Sequence, residues 1–188
     1  MITALVGLRD AAARWGVAGK SAAAIVEAGL VDGYRVGEGG LYVTQSDADA
    51  LAARPTIQVT LPALVVRVGA AVRLSDEDTI TQGRHLVGWA EPATLVAGQT
   101  WSLTERLKGI DRFWRVSAAQ PSDIDRVFCA TVSGLVAAVG QVQSITATPL
   151  GAIIGVAWGD QPGYPVGGWL RSGPGGPVVR LDPPAEQP

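Results

Sequence analysis

A chain of 188 residues with 47% apolar and 17% charged residues carries enough hydrophobic material for a substantial core, which excludes bulk disorder. Its net charge of −2 and isoelectric point near 5.3 exclude a protein that coats nucleic acid by charge alone. A single cysteine, Cys129, excludes a disulfide scaffold or a cysteine-based zinc site within one chain.

In chain order, Leu8, Ala11, Ala12 and Trp15 recur at helical spacing and predict a first helix with one buried stripe. Gly16 suits its end, where a left-handed residue costs little without a Cβ. Val17 then packs as the plug of a turn, so Trp15 and Val17 are expected in the core. A second helix starts with Ser21 as its N-cap, or already at Ala18. Ile25 and Val26 lie on its inner face, and Gly29 closes it. Tyr34 and Val36 alternate with Arg35 as in a strand, 37–40 is a glycine-rich tip, and Leu41-Tyr42-Val43 returns. Ser46 or Asp47 caps a third helix that buries Leu51, and Arg54-Pro55 ends it, because proline disfavours a helical residue before it. The spacing thus predicts a helical unit over 1–54.

Residues 8–51 resemble the small winged helix-turn-helix domains of the excisionase and MerR-like group. The resemblance rests on the alanines at Ala11-Ala12, the Gly16-Val17 turn, a polar-started second helix and the Tyr34-Arg35-Val36 strand. It implies a DNA-binding protein with double-stranded DNA as partner and the second helix in the major groove. The positions matching the contacts are Ala18, Gly19, Lys20 and Ser21 at the helix start, then Arg35 and the wing tip at 37–40, including Gly39. Ala22-Ala23-Ala24 promote helix but offer nothing to a base edge. The unit holds five cations (Arg9, Arg14, Lys20, Arg35, Arg54) against six carboxylates (Asp10, Glu27, Asp32, Glu38, Asp47, Asp49). Phosphate neutralisation supplies most non-specific affinity, so dimerisation or the rest of the chain must contribute.

Beyond Pro55 the texture turns to strands. Residues 56–60 alternate, 63–68 read as a core strand, and 86–90 and 94–96 as further strands. Ser75-Asp76-Glu77-Asp78 reads as a solvated loop or helix cap, and it lacks the spaced glycine and closing glutamate of a calcium loop. Two apolar strands at 126–132 and 135–142 are joined by Ser133-Gly134 as a two-residue hairpin connection. A buried strand follows at 151–158, then short edge strands at 166, 169–170 and 178–181 and a mobile tail at 182–188. The expected class is α+β, with a mostly antiparallel β-barrel or sandwich over 55–181. Phe113-Trp114-Arg115-Val116-Ser117, Val127-Phe128-Cys129-Ala130 and the run from Gly134 to Val139 also resemble small PUA-like barrels. That resemblance implies a domain that grips a modified or flipped base, and it assigns no site residue.

The densest positive run, Arg106, Lys108, Arg112 and Arg115, is interleaved with Trp101, Phe113 and Trp114. Arg106, Lys108, Arg112, Trp114 and Arg115 are candidate nucleic-acid or ligand contacts. Alternation along a strand would put Phe113 and Arg115 on one face, Arg112 and Trp114 on the other. Trp89, Trp101 or Trp114 would stack on a planar ligand or pack in the core.

Catalytic chemistry is not visible. His85 is the only histidine, Cys129 sits in an apolar run where burial would raise its pKa, and no phosphate loop occurs. Asp123 and Asp125 would share a face if extended, with no third polar group beside them. The expectation is a non-enzyme without cofactor or metal. With no secretory-type start and no apolar run of about 20 residues, it is expected to be cytoplasmic, without a membrane partner. The competing expectation is a structural or assembly protein, a phage or multi-subunit component or a homo-oligomer, that uses the helix-turn-helix for docking.

Overall fold

The computed structural model describes residues 4–37, 40–91, 101–115, 119–173 and 175–185. The first part runs β1 (Leu5–Gly7), α1 (Leu8–Trp15), α2 (Gly19–Glu27), β2 (Tyr34–Arg35), β3 (Leu41–Thr44) and α3 (Gln45–Ala52). Its strands form a small antiparallel sheet in the order β1-β3-β2. The apolar stripe of α1 is buried at Ala11, Ala12 and Trp15. Gly16, at φ 65°, ends α1, and the Val17 amide reaches back to the Ala12 carbonyl at 3.0 Å, so the half-buried Val17 closes the turn.

Of the two expected starts of α2 the earlier one forms, and the cap of α3 differs from expectation. Helix α2 begins after Ala18, and Ser21 stands inside its first turn without capping it. Helix α3 is capped by Thr44, whose hydroxyl oxygen accepts from the Asp47 amide at 3.0 Å, so Ser46 and Asp47 are helical. The capping oxygen must precede the first helical residue, and β3 runs directly into α3 without the spacer that a cap at 46 would need.

The second part contains β4 (Ala63–Val68), β5 (Val72–Arg73), α4 (Asp76–Gln82), β6 (Leu86–Val87), α5 (Leu103–Lys108) and β7 (Arg112–Trp114). A 3-10 turn (Pro121–Asp123) leads to β8 (Val127–Val132), β9 (Leu135–Thr148), β10 (Gly151–Trp158) and β11 (Val178–Leu181). The acidic run is a helix start: Ser75 caps α4 by accepting from the Asp78 amide. Residues 56–60 form only an isolated bridge at Thr56, and 94–96 lie outside the described residues. Asp182, in the expected tail, pairs with Arg126 at 2.7 Å.

Of the barrel or sandwich expected over 55–181, a closed barrel does not form among the described residues. Among the described residues there is one open six-stranded sheet, β11-β4-β8-β9-β10-β7, with β11 and β7 at its edges, and a separate β5-β6 pair. Every neighbour in the large sheet is antiparallel except β4 and β8, which run parallel. A parallel pair needs a long crossover, and 69–126 supplies it. Around β4 and β8 both faces of the sheet are covered. Leu64, Val66, Phe128 and Ala130 join α1, α2 and α3 in one continuous apolar core. Their alternates Ala63, Val65, Val127 and Cys129 meet Ile57, Tyr164 and Leu170 in a second. Strands buried on both faces read as unbroken apolar runs, as 63–66 and 127–130 do. Ser133 and Gly134, both left-handed at φ 53° and 91°, make the tight β8-β9 turn.

The two parts are tied directly. The Trp169 indole donates to the Leu51 carbonyl at 3.0 Å, and the Glu91 amide to the Ala28 carbonyl at 3.0 Å. No helix among the described residues is long and apolar enough to cross a membrane.

Cys129 lies in the second core, and burial pushes its thiol from near 9 up to about 12. Between those values the unfolded thiol ionises while the folded one keeps its proton. This contribution is therefore intact below about pH 9 and is lost as pH rises toward 12. Thiol titration with a chromogenic disulfide at pH 8 should show Cys129 inert in the folded chain and reactive in denaturant. Prompt reaction of the folded chain would contradict this burial.

Candidate nucleic-acid interface

A cleft of about 640 Å³ opens where the start of α2 meets the end of β4 and the β8-β9 turn. Ser21 comes from α2, Arg67 from β4, Ser133 and Gly134 from the turn, and Arg171 and Ser172 from the segment after Trp169. None of its described lining residues is acidic.

Both guanidiniums are held by neutral acceptors. Arg67 donates to the Ser172 hydroxyl at 2.9 and 3.2 Å, to the carbonyls of Ser172 at 3.2 Å and Gly175 at 2.9 Å, and to the Gly173 carbonyl. Arg171 stacks 4.8 Å over the Trp169 ring and donates to the Trp15 carbonyl at 2.9 Å and the Gly16 carbonyl at 3.4 Å. It thereby satisfies carbonyls at the negative end of α1. Two positive charges thus stand in fixed positions on one cleft.

Helix α2 starts differently from α3, α4 and α5, which have side-chain caps at Thr44, Ser75 and Ser102 and acidic first turns. It has neither, and Lys20 occupies its first turn. A cation there opposes the helix dipole by about 0.3–1 kcal/mol at an exposed position, a cost that an anion beside it would offset.

Of the residues singled out from the sequence, Lys20 is exposed on α2, Ser21 half-buried in the cleft and Arg35 exposed on β2. Gly39 lies outside the described residues. Along α2 only Gly19, Lys20 and Glu27 are exposed, while Ala22 and Ile25 are fully buried.

The positive run at 106–115 does not converge on one surface. Arg106 is 5% exposed, donates to the Ala90 carbonyl at 2.8 Å, lies 3.7 Å from Glu91 and stacks over Trp89. Burial lowers its pKa, and Glu91 opposes that shift. Arg112 pairs with Asp111 at 2.7 Å, the Trp114 indole donates to the Ile110 carbonyl at 2.9 Å, Lys108 is half-buried and Arg115 is exposed. The expected alternation also fails. Phe113 has φ 64°, and β10 pairs Ala152 with Trp114 and Ile153 with Arg112, which leaves Phe113 as a bulge. Gly151 allows this close approach, since a Cβ there would lie 2.6 Å from the Trp114 carbonyl oxygen. Arg84 stacks 4.8 Å over Phe113, and burial, then Arg112, lowers its pKa against the opposing effect of Asp111.

The tryptophans are similarly dispersed. Trp101 stacks on exposed His85, with centroids 5.3 Å apart, and Trp89 is buried with its indole on Glu91. A smaller cleft of about 300 Å³ joins Trp89, Arg106, Leu103 and Trp158. Asp123 is committed to ion pairs with Arg180 and Arg126, and no described contact joins it to Asp125.

No family model, curated protein or solved structure matches the chain.

Arg67 and Arg171 were not singled out from the sequence. A cation inside the apolar run Leu64-Val65-Val66-Arg67-Val68 is a legible anomaly. Arg171, in a glycine-rich stretch, carries no comparable signal.

Proposed function

We propose that this chain is a non-enzymatic DNA-binding protein. Residues 4–52 act in this reading as a winged helix-turn-helix of the excisionase and MerR-like kind, and the β-rich part contributes binding surface. One observation carries the reading: α2 starts with an exposed lysine, no side-chain cap and no acidic residue, which is an electrostatic vacancy for an anion. Arg35 adds an exposed cation on the hairpin. The non-enzymatic part is supported by the burial of Cys129 in a core and by the commitment of Asp123 to arginines.

The small number of exposed α2 residues favours phosphate contact by the start of the helix over base reading along its length. Lys20→Ala and Arg35→Ala should each weaken duplex binding and reduce the slope of log affinity against log salt by about one. Unchanged affinity and slope in the double variant would remove this module as the DNA-binding element.

A second reading is favoured by the hairpin itself. Tyr34 on β2 is 43% exposed and Val36, just after β2, is 51% exposed. Such apolar groups suit docking to a protein in an assembly or homo-oligomer. Solution mass over a concentration series tests it, and a monomer throughout would count against self-association.

A further inference from the structure

We infer that the cleft walled by Arg67 and Arg171 is a phosphate-binding site, and that it supplies the nucleic-acid backbone contact which the helical part cannot make alone. The inference rests on the DNA-binding reading for the source of the phosphate. Residues 1–54 hold five cations against six carboxylates, so an added charge must come from elsewhere in the chain. Arg67 and Arg171 supply it at a cleft where Ser21 of α2 faces the β-rich part.

The chemistry suits an oxyanion. A guanidinium has five N–H groups, and Arg171 commits two of them to the Trp15 and Gly16 carbonyls. Three remain without a partner among the described residues. The Ser172 hydroxyl oxygen accepts from Arg67, which leaves its own proton available as a donor. Ser21 and Ser133 bring further hydroxyls to the same walls. No carboxylate among the lining residues competes for these donors. Stacking on Trp169 and the carbonyl clamps hold both arginines in place, so little side-chain freedom is lost on binding. Four segments far apart in sequence converge here, and that convergence makes this a site of the whole chain.

The test uses the full chain and a substitution at the rim. Ser133 is left-handed, a conformation that Asp and Asn tolerate. Ser133→Asp therefore places a carboxylate in the cleft with little strain, and Ser133→Asn is its neutral twin. Two probes are used: a short DNA duplex titrated across salt, and inorganic pyrophosphate followed by thermal shift. The expected result is duplex binding about tenfold weaker for Ser133→Asp, with a salt slope lower by about one, while Ser133→Asn behaves as the parent chain. Pyrophosphate should raise the melting temperature of the parent and of Ser133→Asn, but not of Ser133→Asp.

Should the parent bind duplex and the Asp and Asn variants match it in both assays, the cleft is not a phosphate site, although the DNA-binding reading stands. A pyrophosphate effect abolished by Ser133→Asp, without any salt-dependent duplex binding, supports the site and overturns the nucleic-acid source. Failure of both probes on the parent chain overturns both.

Discussion

Trp15→Ala is expected to cost about 3–5 kcal/mol, among the largest effects of any single substitution in this chain. The ring is 2% exposed, on the stripe that α1 forms with Ala11 and Ala12. It fills the space between α1 and α3, and its indole N–H donates to the Ala48 carbonyl at 2.9 Å. Truncation removes a large apolar surface, leaves a cavity and removes the indole hydrogen bond to the Ala48 carbonyl. Trp15→Phe separates these terms: it keeps most of the volume but loses the hydrogen bond, which contributes about 1 kcal/mol. Denaturant unfolding of the full chain measures both. A loss below about 1 kcal/mol for the alanine variant would mean that the ring is not part of the core.

The second large effect lies at the opposite edge of the sheet. Asp123 is fully buried, and its carboxylate accepts from Arg180 Nε and Nη2 at 2.6 Å each and from the Gln120 amide at 2.8 Å. Arg126 approaches it at 3.5 Å. This pair fastens β11, an edge strand, to the turn that precedes β8. Asp123→Asn removes the charge while keeping the shape, so the two arginines lose their shared counter-ion in a partly desolvated place. Breaking a buried pair from one side costs about 3–5 kcal/mol. Arg126 retains Asp182 at 2.7 Å, so Arg126→Ala should cost less than Asp123→Asn. Hydrogen exchange offers a local check: amides of 178–181 and 63–66 should lose protection first, since these strands pair through Val178 to Val66 and Leu181 to Ala63. Equal destabilisation by the two variants would show that the pair is not centred on Asp123.

What the DNA-binding reading asks of the molecule is also clear from these contacts. Arg171 reaches from the β-rich part to the carbonyls that end α1, and Trp169 reaches to the last turn of α3. The orientation of the helical part is therefore set by the same segment that brings positive charge to the cleft. A substitution in 169–172 would alter packing and charge together, and so a rim residue such as Ser133 is the cleaner probe.

Local chemistry was readable from the residues alone. The stripe from Leu8 to Trp15 determined α1, because 3.6-residue periodicity needs no knowledge of the partner. The apolar runs of β4, β8 and β10 and the Ser133-Gly134 connection were equally legible, because β-branched residues and left-handed turn positions act over short range. The division into a helical first part and a strand-rich second part, and hence the α+β class, followed from the same local signals. Alternation misled at Phe113, where a bulge imposed by the close approach of Gly151 removed the register on which the charge pattern depended. Tertiary structure alone decided the rest. β4 and β8 pair in parallel across more than fifty residues, and around them both faces of the sheet find cover. Within the densest run of cations, Arg106 turned inward onto Glu91 and the Ala90 carbonyl and Arg112 paired with Asp111, while two isolated arginines came together beside α2. Charge density along a chain is a one-dimensional quantity, whereas the field at a surface depends on which charges are neutralised and which face solvent. That is settled only when segments distant in sequence share a core.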